Sequence, residues 1–162
     1  MKRILCAVSL VLTIAWIGFI FSNSFANGTK SSEQSSTVHE VVNEIAQSLG
    51  ATEEISESTI RTSAHFLEFA VLGLLLATDL ALLISLPLPA PLSRRHAWVL
   101  LALPLATILA VIDEIIQYFT PDRAMQFVDV AIDSAGALCG ILTFAACFFL
   151  CRAVRIRKKN EQ

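Results

Sequence analysis

Several ionisable side chains that could do chemistry lie inside or next to apolar stretches of this sequence. Arg61, His65 and Glu68 are spaced so that a helix places them on one face. A histidine beside a carboxylate can perform general acid–base catalysis, and an arginine can hold a phosphate or carboxylate through two parallel hydrogen bonds. We therefore predict His65 and Glu68 as catalytic candidates and Arg61 as a ligand-binding residue.

Two later stretches contain further carboxylates at helical spacing. Asp129 and Asp133 are one helical turn apart, and Gly136 and Gly140 continue the same face as a GxxxG pattern that permits close helix packing. The excess of carboxylates could also hold a hard divalent cation, so the metal and the cofactor remain open. The further candidates are catalytic Asp113 and Glu114, and ligand-binding Gln117, Arg123, Asp129 and Asp133.

The elements that must position these residues are four long apolar segments. Each reaches the length of about 20 residues that a helix needs to cross a bilayer. The chain has 162 residues, of which 55% are hydrophobic and 16% charged, which excludes a soluble globule, a disordered chain and a nucleic-acid binder. We predict an all-α integral membrane four-helix bundle, one domain over 1–162. The predicted helices cover about 4–21, 64–86, 97–119 and 128–151.

The basic residues orient this bundle. Nine of the twelve lie on one side of four crossings, which predicts that both termini are cytoplasmic. The candidate residues then lie at the outer ends of their helices. Asp79 lies nearer the inner side and has no evident partner. The nine residues are Lys2, Arg3, Arg94, Arg95, Arg152, Arg155, Arg157, Lys158 and Lys159.

The outer loop over 22–60 is the longest polar segment. Residues 22–24 and 31–36 are predicted as loop, and 87–91 as a short stiff connector. Thr37 with Glu40 resembles a capping box that opens a short amphipathic helix ending at Gly50, with His39 expected to be solvated. The apolar stripe of this helix is Val38, Val41, Val42, Ile45 and Leu49. This helix either lies in the membrane interface or docks a partner. An alternative for the N-terminus is a signal peptide cleaved after Ala26.

The motifs together resemble the VanZ-like family, which is named for a membrane protein associated with teicoplanin resistance. The resemblance rests on His65-Phe66-x-Glu68-Phe69, on Asp113-Glu114-x-x-Gln117-x-Phe119-x-Pro121-x-Arg123, and on the stretch from Asp129 to Gly140. Many members have asparagine where Asp133 stands. The resemblance implies a bacterial envelope protein of the cytoplasmic (inner) membrane and, for some members, lower glycopeptide susceptibility.

These observations favour an outward-facing polar pocket that binds or modifies an amphiphile of the outer leaflet. The partner would be a membrane lipid or a lipid-linked cell-wall precursor. The alternatives are a transporter or flippase component and a structural membrane adaptor; whether the protein is an enzyme, and its oligomeric state, stay open. Within the site we expect Arg123 to bind the ligand, because it follows Pro121 in a turn at the mouth. We expect Arg61 to pair within its own helix.

Overall fold

A computed structural model describes residues 2–25, 28–50, 54–84, 97–121, 123 and 126–160. The predicted cleavage position at Ala26 and the connector around 87–91 lie outside the described residues. Within these ranges the chain forms five α-helices and no strand. They are α1 (Lys2–Ser24), α2 (Gly28–Ser48), α3 (Glu57–Ile84), α4 (Ala97–Tyr118) and α5 (Phe127–Asn160).

Four of the helices, α1, α3, α4 and α5, are long and apolar enough to cross a membrane. Large apolar side chains such as Ile14, Leu67, Ile108 and Leu142 remain exposed along their sides. Exposed apolar surface of this extent is expected where helices face lipid instead of water. The predicted all-α membrane fold is therefore confirmed.

Helix boundaries differ from the predicted ones at four places. The loop predicted over 22–24 is wrong, because α1 continues to Ser24. α3 begins at Glu57, because the Ser56 hydroxyl caps it by accepting the Thr59 backbone N–H at 3.2 Å. α5 continues through its basic residues to Asn160, since lysine and arginine are good helix formers. The loop predicted over 31–36 is wrong, because α2 already begins at Gly28; serine costs a helix only a few tenths of a kcal/mol, so a serine-rich stretch does not end one.

Helix α2 ends at the predicted stop and is tied to the segment before α3. Gly50 has a φ of 92°, a left-handed conformation that favours glycine. Asn43 is buried, donates to the Ile55 carbonyl at 3.1 Å and accepts the Ile55 N–H at 2.8 Å. His39, expected to be solvated, faces Glu54 at 4.0 Å. The apolar residues of the predicted stripe are mostly exposed, among them Val38, Val41, Ile45 and Leu49.

Glycines hold α3 and α5 in direct backbone contact. A Cβ at Gly136 would lie 2.2 Å from the Phe66 carbonyl oxygen, and one at Gly140 would lie 1.8 Å from that of Ala70. The close approach predicted from the GxxxG pattern is confirmed, and the partner helix is α3. The structure adds Gly73 of α3, where a Cβ would lie 2.1 Å from the Ala137 carbonyl oxygen.

The helices alternate in direction, so their ends form two distinct regions. We call the end where α1 and α4 finish and α3 and α5 begin the site end, and the opposite one the terminal end. Between them lies an apolar core formed by Ile20, Phe69, Leu72, Ala106, Ala110 and Ala137. This core separates the polar groups of the site end from those of the terminal end.

Candidate functional site

Asp113 and Gln117 of α4 form the centre of a polar cluster at the site end. Both side chains are fully buried. The Gln117 amide nitrogen donates to Asp113 Oδ2 at 2.8 Å, one turn earlier on the same helix. The Ser24 hydroxyl, at the end of α1, donates to Asp113 Oδ1 at 2.5 Å. Both oxygens of this buried carboxylate therefore accept a hydrogen bond, which fixes its orientation.

Both arginines of the site point at the oxygen of the Gln117 side-chain amide. Gln117 Oε1 lies 3.4 Å from Arg61 Nη2 and 3.3 Å from Arg123 Nη1. Arg123 also donates to the Asn23 carbonyl at 3.3 Å and so ties the turn after α4 to α1. Within the described residues no carboxylate lies within 4.0 Å of either guanidinium group. The two positive charges are thus held side by side without a direct anionic partner.

The expected pairing of Arg61 with Glu68 along α3 is not made. Glu68 instead accepts a hydrogen bond from the Asn23 side chain of α1 at 2.9 Å, while Arg61 reaches across to α4. Arg123 is half-buried. Burial lowers the pKa of its guanidinium, the nearby positive charge of Arg61 lowers it too, and the carboxylates around it act in the opposite direction. An arginine remains charged at physiological pH in spite of such a shift.

His65 and Asp133 face each other across α3 and α5. His65 Nδ1 lies 3.7 Å from Asp133 Oδ1, which is too long for a hydrogen bond. Asp133 is fully buried, and neither of its carboxylate oxygens has a hydrogen-bond partner among the described residues; the same holds for the buried His65 Nδ1. One oxygen of Asp113 lies with these groups, so that ligand atoms of the three residues are all within 4.8 Å of one another.

A cleft of about 360 Å³ opens between the first turns of α3 and α5. Four of the nine predicted site residues line it: Arg61, His65, Asp129 and Asp133. The other lining residues are Ser58, Thr62, Gln126 and Ile132. The remaining five predicted residues, Glu68, Asp113, Glu114, Gln117 and Arg123, belong to the polar cluster but not to the cleft wall.

Glu114 lies at the edge of the polar cluster, next to the start of α5. It is fully buried on α4, and its Oε2 accepts the backbone N–H of Gln126 at 2.9 Å, just before α5 begins. Its other oxygen has no partner within the described residues. Glu114 therefore holds the start of α5 against α4 while it remains one of the buried acidic groups.

Comparison with known families decides where the chain belongs. A family profile described as VanZ/LLP1 matches residues 9–150. The chain belongs to the VanZ/LLP1 family. The matched region includes the predicted site residues on α3, α4 and α5, together with most of α1. No curated protein and no solved structure matches the chain.

The VanZ/LLP1 fold places α1 in the site, which sequence reasoning did not predict. Asn23 holds Glu68, Ser24 holds Asp113, and the Trp16 indole N–H donates to the Glu68 backbone carbonyl at 2.9 Å. Thr120 also donates to the Ser24 carbonyl at 3.1 Å. The available signal was the polar Ser22-Asn23-Ser24 run at the end of an otherwise apolar helix. Helix α1 is an integral part of the VanZ/LLP1 bundle.

A second polar group of this VanZ/LLP1 protein lies toward the terminal end. Asp79 of α3, for which the sequence indicated no partner, accepts hydrogen bonds from two hydroxyls of α1. Thr13 Oγ1 donates to Oδ2 at 2.6 Å, and Ser9 Oγ donates to Oδ1. All three side chains are buried. This group is complete in itself and joins α1 to α3.

Proposed function

We propose that this VanZ/LLP1 protein binds the anionic headgroup of an amphiphile at the outer surface of the bacterial inner membrane. One observation supports this most directly. The guanidinium groups of Arg61 and Arg123 converge on one amide oxygen, no carboxylate of the described residues lies within 4.0 Å of either, and Arg61 lines an open cleft. Paired guanidinium groups of this kind suit the oxygens of a phosphate or carboxylate.

The orientation of the site end follows from the charge distribution. Among the described residues, Lys2 and Arg3 begin α1 and five basic residues lie in the last turns of α5, all at the terminal end. Under the positive-inside rule the terminal end is cytoplasmic. The cleft then opens on the extracytoplasmic side, at the depth where lipid headgroups lie.

The surroundings of the cleft suit a ligand that has an apolar tail. Ile132 lines it, and Phe127 and Val128 expose apolar side chains on the first turn of α5. A headgroup in the cleft would leave its acyl or polyprenyl chain along this lipid-facing surface. Membrane phospholipids and lipid-linked cell-wall precursors both have this chemistry. A protein that sequesters or modifies such a precursor would alter teicoplanin susceptibility.

Arg61 is a better ligand arginine than Arg123. Arg61 lines the cleft, whereas Arg123 lies off its wall and bridges Gln117 to the Asn23 carbonyl of α1. The position of Arg123 in a turn predicts the reverse. Because its contacts join two helices, we assign Arg123 mainly to holding the cluster together.

The transporter alternative is less well supported. A path across the membrane needs polar groups at every depth, and the described core between Asp133 and Asp79 is apolar. Asp79 is also already satisfied by α1. The adaptor alternative relies on the exposed face of α2, which equally suits a helix lying in the membrane interface.

The test is whether anionic lipid stays bound to the purified protein. Wild type, Arg61→Ala and Lys158→Ala are expressed in a bacterial host, extracted in mild detergent and examined by native mass spectrometry. We expect wild type and Lys158→Ala to retain an anionic lipid and Arg61→Ala to lose it at least tenfold, because one charge-assisted interaction contributes about 1.5–3 kcal/mol. Lys158 is the matched control, since it is basic but lies at the terminal end.

Two further measurements complete this test. Arg61→Lys keeps the charge but not the bidentate geometry, so we expect retention between those of wild type and Arg61→Ala. The teicoplanin susceptibility of the expressing cells should follow the same order as lipid retention. Equal retention by folded wild type and folded Arg61→Ala would refute the headgroup role of the cleft.

A further inference from the structure

His65, Asp113 and Asp133 form an unusual group, because three helices each contribute one potential metal ligand to the same point. Their ligand atoms lie within 4.8 Å of one another, and His65 Nδ1 is 3.7 Å from Asp133 Oδ1. Both aspartates are fully buried. Within the part of the chain that the structure describes, both Asp133 oxygens and the facing His65 nitrogen lack a hydrogen-bond partner.

Such unpartnered atoms are rare in folded proteins. Buried carboxylates normally accept hydrogen bonds or pair with a cation, because an isolated buried charge is strongly unfavourable. The nearby described cations are already directed elsewhere, since Arg61 and Arg123 both point at Gln117. The five carboxyl groups of the site also outnumber its two guanidinium groups. A positive charge placed between His65 and Asp133 would satisfy all three unpartnered atoms.

We propose that His65, Asp113 and Asp133 bind one divalent transition-metal ion, with Zn²⁺ or Mn²⁺ as the best candidates. One imidazole nitrogen and two carboxylate oxygens form a donor set that such ions prefer. Mg²⁺ and Ca²⁺ favour oxygen ligands alone, so they suit the set less well. Ligands at ~2.0–2.2 Å around a tetrahedral ion lie about 3.3–3.6 Å apart, close to the observed 3.7 Å between His65 and Asp133.

The residues around the trio resemble the outer shell of a metal site. Ser24 and Gln117 both donate hydrogen bonds to Asp113, as partners that orient metal-binding carboxylates commonly do. His65 and Asp133 line the cleft, so coordination positions not taken by protein would face it. A water molecule or the oxygen of a bound anion could occupy such a position.

The metal site does not rest on the proposed amphiphile binding. It depends on three side chains, whereas headgroup binding depends on Arg61. The metal measurement therefore uses delipidated protein in detergent, without any lipid or antibiotic. A failure to bind metal and a failure to retain lipid would be seen in separate assays.

The experiment measures metal stoichiometry and affinity on the full-length chain, purified without a histidine tag. Protein is stripped with EDTA, desalted and titrated with Zn²⁺, Mn²⁺, Mg²⁺ or Ca²⁺, and bound metal is counted by plasma mass spectrometry. We expect one equivalent of Zn²⁺ or Mn²⁺ on wild type. We expect affinity to fall at least tenfold in Asp133→Asn and in His65→Ala. Substituted Co²⁺ should give visible absorption bands that Asp133→Asn abolishes.

Two control variants separate this site from other binding. Asp79→Asn removes a buried carboxyl charge from the same bundle and should bind metal as wild type does. His39→Ala removes the exposed pair with Glu54, which could bind metal adventitiously, and should also keep the full equivalent. Absence of a bound equivalent in wild type, or equal affinity in folded Asp133→Asn, would overturn the proposal.

Discussion

Asp79 and Asp133 are two buried aspartates in membrane-spanning helices, and their surroundings are opposite. Asp79 accepts hydrogen bonds from Ser9 and Thr13 of α1 on its two oxygens. Neither oxygen of Asp133 has a hydrogen-bond partner among the described residues, although His65 and Asp113 lie close by. Asp79 lies within a packed contact between two helices, whereas Asp133 lies on the wall of a cleft.

The difference shows how structural and ligand-binding carboxylates can be distinguished. A charged residue in a membrane helix costs about 2.5–3.5 kcal/mol at the centre on insertion scales, so each must be compensated. For Asp79 the compensation comes from α1 and stabilises the bundle. Among the described residues Asp133 has only His65 Nδ1 facing it, at 3.7 Å and without a hydrogen bond, which is the gap that the proposed cation would fill. Three substitutions test this contrast.

The largest effect is expected when the helices that carry these two residues are forced apart. Gly140→Ala adds a Cβ that would lie 1.8 Å from the Ala70 carbonyl oxygen, a backbone atom that cannot move alone. Overpacking usually costs about 1–3 kcal/mol, and a clash with backbone costs more. We expect a severalfold loss of monodisperse protein in size-exclusion chromatography after membrane extraction.

The control for this prediction is Gly18→Ala in α1, where an added Cβ meets nothing within 4 Å. Alanine favours a helix more than glycine does, so this variant should be obtained at the wild-type level or above. Equal recovery of Gly140→Ala and Gly18→Ala would show that α3 and α5 are not in backbone contact.

A moderate effect is expected from Asp79→Ala. The change removes the acceptor of two buried hydroxyls, and an unsatisfied buried donor costs about 1–3 kcal/mol. At about 2–4 °C per kcal/mol for a chain of this size, the melting temperature in detergent should fall by about 2–12 °C. Thr78→Val is the neighbouring control, because the Thr78 hydroxyl bonds only within its own helix. A stable Asp79→Ala would remove the structural role of Asp79.

The smallest effect, and one of opposite sign, is expected from Asp133→Asn in EDTA. The change removes an uncompensated buried charge at constant volume, so the melting temperature should stay constant or rise by about 2–4 °C. With saturating Zn²⁺ wild type should have the higher melting temperature, because it gains more stability from bound metal than Asp133→Asn does. A fall in the metal-free melting temperature of Asp133→Asn would mean that the chain itself stabilises this carboxylate.

Much of the site was predictable because depth along a helix depends on sequence position alone. Arg61 and His65 begin one apolar helix, Asp113 and Gln117 end another, and Asp133 begins a third, so alternating helices bring them to one end. The spacing of Gly136 and Gly140 also predicted a close helix contact. The role of α1 was missed, because Asn23 and Ser24 follow an uncharged segment with no ionisable residue to draw attention to them.

The sequence by itself determined the four spans, their alternation and the presence of polar residues at one end, since hydrophobicity and spacing are local properties. Only the tertiary structure decided which side chains meet. The rotation of α3 and α5 depends on backbone contacts at Gly73, Gly136 and Gly140, which no single segment encodes. That rotation directs Arg61 to Gln117 instead of Glu68, gives Asp79 its two hydroxyls, and leaves Asp133 facing His65 without a partner.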